Sequence, residues 1–337
     1  MVTQRLKHNI IFGLLLVATA VTPLVGLQSV AWADTSNTNA ANTLKVTPVR
    51  SDIEIPAGTS KTVKITISNV SSSTVVVSPI ENDFIAKDES GTPALILDAN
   101  QYAPTHSLKR YMAPLGNITL DAKSSKTVDV VITVPKDAHA GGYFGALRFA
   151  PASPDGGGQV NLSASVASLI LMTVPGNYTE KLNLTDFNVQ QNGKDGTYFQ
   201  NPNNLSAAFR FENKGDVQEA PFGNISVKRG DKVVYSYDFN QKAPHDVVLP
   251  DSARRWDIPL KNIGAFGHYT VEATLTYGKK NQTVNISQSF WVVPFVVIIG
   301  GIVGLLVLIG IIIAIVAFLR SYKRRIINSY GRGGRRH

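Results

Sequence analysis

From Val292 to Leu319 the chain runs for 28 residues without a charge, and Arg320 follows at once. Roughly 20 apolar residues at ~1.5 Å rise suffice to cross a ~30 Å hydrocarbon core. A helix satisfies its own backbone there, which lipid cannot do for it. The run therefore predicts a transmembrane helix over 291–319, and Gly300, Gly301, Gly304 and Gly310 do not argue against it. Arg320, Lys323, Arg324 and Arg325 open a basic segment, 320–337, that holds no acid. Cationic flanks stay cytoplasmic, so this tail is expected inside the cell and the bulk of the chain outside. The bland alternative, a buried core helix, fits neither the length nor the flank.

The other end points the same way. Arg5 and Lys7 precede an apolar stretch from Ile10 to Val21, and Ala31-Trp32-Ala33 supplies a small-x-small cleavage pattern before Asp34. A signal peptide is expected over 1–33, with a retained N-terminal anchor as the alternative. Residues 34–43, rich in Ser, Thr, Asn and Ala, read as a flexible leader.

Topology also accounts for the charge. All 24 acids lie between Asp34 and Glu272, and the 33 Lys and Arg, less two in the signal segment and seven in the tail, leave 24 beside them. The exported part is formally neutral, so no nucleic-acid partner is expected. With no cysteine in the chain, no disulfide can staple the fold and burial must hold it together.

Between the two termini the pattern has period two. Val63, Ile65 and Ile67 alternate with Lys64, Thr66 and Ser68; Val271, Ala273, Leu275 and Tyr277 alternate with Glu272, Thr274 and Thr276. Such segments are strands with one dry and one wet face. The fold class expected is all-β: two tandem immunoglobulin-like β-sandwiches, 44–175 and 176–290, plus the C-terminal transmembrane helix. Internal echoes suggest that the halves are related. Residues 53–63 (IEIPAGTSKTV) match 118–128 (ITLDAKSSKTV), and 248–256 (VLPDSARRW) repeats the form loosely. Gly141-Gly142-Tyr143 echoes Gly267-His268-Tyr269, each Tyr fitting a hydroxyl tether at a strand corner. Ile67-Ser68-Asn69 echoes Phe211-Glu212-Asn213, where Asn ends a strand and starts a turn.

No catalytic constellation emerges. His106, His139, His245 and His268 are far apart in sequence and none forms a metal-ligand spacing. No Gly-x-Ser-x-Gly elbow or dinucleotide fingerprint is present, and Gly156-Gly157-Gly158 beside Asp155 reads as a hairpin tip. No enzyme activity, metal or cofactor is expected. Candidate binding residues are aromatic: Tyr102, Tyr111, Tyr143, Phe144 and Trp256, all near loops or strand ends. Core or corner roles compete with binding for each of them. The strand-poor segment Asp83 to Arg110 reads as an insertion shaping a groove on a rigid scaffold.

The layout resembles the WxL-interacting proteins of Gram-positive cell surfaces. The resemblance covers nearly the whole chain. It rests on Leu44-Lys45-Val46-Thr47-Pro48, on Ile67-Ser68-Asn69, on Val134-Pro135 leading to Gly141-Gly142-Tyr143-Phe144-Gly145, and on Ala243-Pro244 and Gly267-x-Tyr269. It implies a peptidoglycan-binding immunoglobulin-like domain, a second sandwich for host or partner binding, and a membrane anchor. The expected function is a non-enzymatic, membrane-anchored extracellular binding protein that contacts peptidoglycan or a cell-surface protein partner. A structural module that docks partners by strand addition is the alternative, and an extracytoplasmic hydrolase is a second.

Overall fold

The computed structural model describes residues 43–152 and 165–330. The expected signal peptide, the leader up to residue 42, the Gly156-Gly157-Gly158 tip and the tail from residue 331 lie outside the described residues. The first half contains β1 (Leu44–Thr47), β2 (Arg50–Glu54), β3 (Ser60–Asn69), β4 (Val75–Ala86), β5 (Pro93–Leu95), β6 (Ile118–Leu120), β7 (Ser125–Thr133), β8 (Gly141–Pro151) and β9 (Val166–Val174). One sheet runs β1-β3-β7; the other runs β2-β9-β8-β4-β5, with β6 on β4. Among the described residues of this half, only β2 runs parallel to its neighbouring strand, β9.

The alternation sets the register. Ile65 faces Val128 across the β3–β7 ladder while Lys64 faces Asp129. The apolar set turns inward onto Leu147, Phe149, Ile170 and Met172 in one core. On the wet side Lys64 pairs with Asp129 at 2.8 Å.

The second half repeats the plan. It contains β10 (Leu182–Gln191), β11 (Lys194–Asp195), β12 (Tyr198–Phe199), β13 (Leu205–Asn213), β14 (Phe222–Arg229), β15 (Lys232–Phe239), β16 (Ala253–Pro259), β17 (Gly267–Tyr277) and β18 (Gln282–Val292). Sheets β11-β10-β13-β16 and β12-β18-β17-β14-β15 enclose a separate core around Phe209, Phe211, Tyr269 and Phe290. The fold is thus mostly β, in four sheets, with one apolar helix, α1 (Phe295–Tyr330), at the C-terminal side.

That helix is long and apolar enough to cross a membrane over Phe295–Arg324. It starts four residues later than the expected 291. Trp291 and Val292 pair with His268 and Gly267 of β17 and with β12, so they belong to the second sandwich, which runs past residue 290. Ladder hydrogen bonds claim these two apolar residues before the helix can.

The sequence echoes are copies of one device. Thr59, Ser124 and Ser252 each donate a hydroxyl to the carbonyl three residues back, on Pro56, Asp121 and Leu249, at 2.7, 2.8 and 2.8 Å. The residue before each hydroxyl has a positive φ: Gly58, Lys123 and Asp251. Asn69 and Asn213, both buried, close the facing strands alike. Each accepts the N–H two residues on at 2.9 Å and donates to the carbonyl four residues on at 2.7 Å. A second donation reaches the echo turn, from Asn69 to Leu120 and Asp121 and from Asn213 to Val248. The Tyr143 hydroxyl donates to the His139 carbonyl at 2.9 Å, and the Tyr269 hydroxyl accepts from Gly264 N–H at 3.0 Å.

Candidate functional site

The two sandwiches meet on the outward face of β8. Gly142 N–H donates to the Asp216 carbonyl at 2.7 Å. A Cβ at Gly142 would stand 2.9 Å from Gln218 Oε1, and one at Gly141 would stand 3.0 Å from the Asp216 carbonyl oxygen. Glycine is needed here because one backbone approaches another. Beside it, Phe84, Phe144, Ala146 and Leu171 form a small apolar cluster that Val247 and Leu249 of the second half close. The β4–β5 hairpin reaches across: Glu89 accepts Arg255 N–H through its carbonyl at 2.7 Å and pairs its carboxylate with Arg210 at 2.8 Å. Arg50 donates to the His245 carbonyl at 2.7 Å.

An open cleft of about 380 Å³ lies beside this junction. One wall is the 103–111 segment, held by one carboxylate. Asp83, fully buried, accepts Ala103 N–H at 2.9 Å, the Ser107 hydroxyl at 2.6 Å and Lys109 N–H at 2.8 Å. These bonds offset the cost of burying the charge and fix the short turn Lys109–Tyr111. The lining includes His106, Arg110, Tyr111, His139, Tyr143 and Asp216. The Tyr111 and Tyr143 rings pack 5.2 Å apart, and the Arg110 guanidinium lies 4.3 Å from the centre of the Tyr102 ring. Burial, then the adjacent Tyr111 hydroxyl, pushes the Tyr143 hydroxyl well above the usual phenol range.

Most polar groups around the cleft are already paired. Ser107 is spent on Asp83, His106 Nδ1 meets the Gly142 carbonyl at 2.6 Å, Tyr143 is tied to His139, and Asp216 accepts Thr179 N–H at 2.8 Å. Presented to the cleft are aromatic surface, the Arg110 guanidinium, the His139 imidazole and the Thr105 hydroxyl. Among the described residues no group of three or more His, Asp or Glu is placed to hold a metal ion.

Of the five aromatic candidates, Tyr111 and Tyr143 line the cleft and Tyr102 stacks under its Arg110. Two are corrected. Phe144 is buried in the cluster joining the sandwiches, because both faces of β8 are covered. Trp256 is buried in the second core against Phe209, Phe211 and Phe239, because its position on β16 points inward. His106 and His139, distant in sequence, come to one cleft because the 103–109 segment is held by Asp83 and by β8 at Gly142 and Phe144. The sequence signal for Asp83 was a polar run, Glu81-Asn82-Asp83, inside a mostly apolar strand.

A second buried carboxylate lies at the junction. Glu219 is sequestered near Glu180, and its carboxyl is pushed up to about 8 by burial first and by the Glu180 charge second. Of the basic flank predicted behind the apolar run, Arg320, Lys323 and Arg324 stand exposed on the last turns of α1, while the Arg325 side chain lies outside the described residues.

No family model matches the chain, and no curated protein matches it. Several solved structures align with the chain at low identity. A complex described as a chaperone–tip adhesin complex of CFA/I fimbriae biogenesis is 13% identical, with 73% of this chain and 98% of that one covered and a TM-score of 0.37. The class 5 fimbriae chaperone CfaA gives 13% identity over the same shares, with a TM-score of 0.38. The CsuC–CsuE pre-assembly complex of Acinetobacter baumannii gives 11%, 72% and 98%, with a TM-score of 0.36. At such scores these likenesses lend no weight to any function for this chain.

Proposed function

We propose that this chain is a membrane-tethered surface protein, related to the WxL-interacting proteins, whose two immunoglobulin-like sandwiches form a non-enzymatic module that binds a partner protein through the junction cleft. The parallel β2–β9 pair and the two tyrosine tethers support the immunoglobulin-like reading. The apolar helix and its basic flank support a single span with the sandwiches outside the cell.

One observation carries the binding reading: several of the cleft's hydrogen-bonding groups are spent within the protein, and the surface it presents is dominated by the Tyr111 and Tyr143 rings and the Arg110 guanidinium. A glycan strand needs many unspent polar partners, because each buried hydroxyl left unpaired costs ~1–3 kcal/mol. Tyr and Arg are instead the residues that dominate protein interfaces. Peptidoglycan is thereby the weaker ligand. A second reading, strand addition, is favoured by β15, an eight-residue edge strand paired on one side by β14 and exposing Val233 and Tyr237.

The chain has no cysteine, so single-cysteine variants can carry a photo-crosslinker on intact cells. A dominant protein adduct from Tyr111→Cys, absent from Val131→Cys, is expected. An adduct only from Tyr237→Cys moves the contact to β15. Label recovered solely on purified wall restores peptidoglycan, and no adduct from any position removes the binding claim.

A further inference from the structure

The strand directions set which loops of the second sandwich face α1. β18 runs to Val292, with two residues between it and Phe295, and β17 starts beside it at Gly267. The β14–β15 turn lies at that end, since Lys228 faces Thr270. So do the β10–β11 turn and the start of β13, since Gln191 faces Leu205, and the loop that leaves β16 after Pro259. The base of the sandwich is therefore formed by loops 191–194, 200–204, 229–232 and 260–266. Its opposite end, loops 175–181, 214–221, 240–252 and 278–281, lies toward the first sandwich.

The two ends differ in chemistry. Tyr198, Phe266 and Trp291 are each 48% exposed at or beside the base, joined by Val233. Trp291 packs on His268 at 4.6 Å, and the Tyr198 hydroxyl donates to the Val293 carbonyl at 3.1 Å, on the connection to the helix itself. The charged residues of the base loops are Lys194, Arg229, Lys232 and Lys261 against Asp231 alone. The opposite loops set five acids, the buried Glu219 among them, beside Lys181, Lys214, Lys242, Lys279 and Lys280.

Two residues between Val292 and Phe295 span at most about 10 Å. The uncharged stretch of α1 from Phe295 to Leu319, at ~1.5 Å per residue, is about 37 Å long and already exceeds a ~30 Å core. The base then stands at the headgroup layer, where aromatic rings with a polar edge settle and cations are attracted to anionic lipid.

We infer that the base of the second sandwich is a membrane-contact surface, its aromatic rim and cations seated in a layer of anionic lipid headgroups, so that the module stands in one orientation rather than swinging on its helix. This rests on the membrane-spanning reading. The test uses the full chain reconstituted in phosphatidylcholine vesicles, with and without phosphatidylglycerol, carrying one fluorophore on Phe266→Cys, Val233→Cys, Phe222→Cys or Leu308→Cys. Quenching by a lipid with a headgroup-level nitroxide is expected to be several-fold stronger at 266 and 233 than at 222. The difference should grow with phosphatidylglycerol and shrink with salt. Equal quenching at 266 and 222, with 308 quenched by an acyl-chain nitroxide, overturns the inference and leaves the span standing. If 308 is not quenched either, inference and span fall together.

Discussion

β8 and β17 open on related triplets, Gly141-Gly142-Tyr143 and Gly267-His268-Tyr269, and each lies mid-sheet in its own sandwich. Yet β17 alternates buried with wet positions while β8 is buried or half-buried along its whole length. The outward positions of β17 are His268, Thr270, Glu272, Thr274 and Thr276; those of β8 include Gly142, Phe144 and Ala146. A strand covered on both faces loses its polar alternation. The contrast shows that the first sandwich is built to be packed against and the second to stand in solvent. It is also why Phe144 turned out to be mortar rather than a contact surface.

The strongest way to break the comparison is to attack the device the halves share. Asn69→Ala and Asn213→Ala each strand several buried backbone groups, and each should cost ~2–4 kcal/mol in chemical unfolding of the full chain in detergent. A loss under half a kcal/mol at either position would mean the turns are not held this way. Next comes the asymmetry between the strands. Gly142→Ala drives a Cβ to within 2.7 Å of Phe144 and 2.9 Å of Gln218, and should cost ~1–3 kcal/mol. His268→Ala, at the equivalent exposed position of β17, should stay within ~0.5 kcal/mol.

The junction sharpens the contrast through pH. Glu219 in the fold holds its proton to about 8, whereas its ordinary value is 4.5. The folded chain therefore binds more protons than the unfolded chain between those values, and stability falls as pH rises through that window. Glu219→Gln should flatten the dependence, with the variant gaining on wild type as pH rises from 4.5 to about 8 and the difference holding constant above that in thermal scans. Should the two curves stay parallel, Glu219 is charged in the fold. The smallest effect expected is at the wet face of β3 and β7: Lys64→Ala removes an exposed pair and should shift stability by less than ~1 kcal/mol.

Much of the fold was legible because its signals are local. Alternation at Val63, Ile65 and Ile67 names a dry face wherever the strand ends up, and a 28-residue uncharged run admits few structures but a helix. The echoes were readable because a hydroxyl reaching back three residues needs no distant partner. The candidate cleft was less legible. Tyr102, Tyr111 and Tyr143 could be picked as aromatics near loops, but Trp256 satisfies the same description and lies in a core.

The chain's own order of residues decided the strands, the turns that repeat in both halves, and the apolar segment behind them. Tertiary structure alone decided that His106, Arg110 and His139 would share one cleft, that Asp216 would close on Gly142, and that Trp291 would belong to a strand rather than to the helix. The physical reason is range. Periodicity and turn chemistry act over a few residues, whereas the junction depends on which backbones approach within hydrogen-bonding distance after two separate cores have formed.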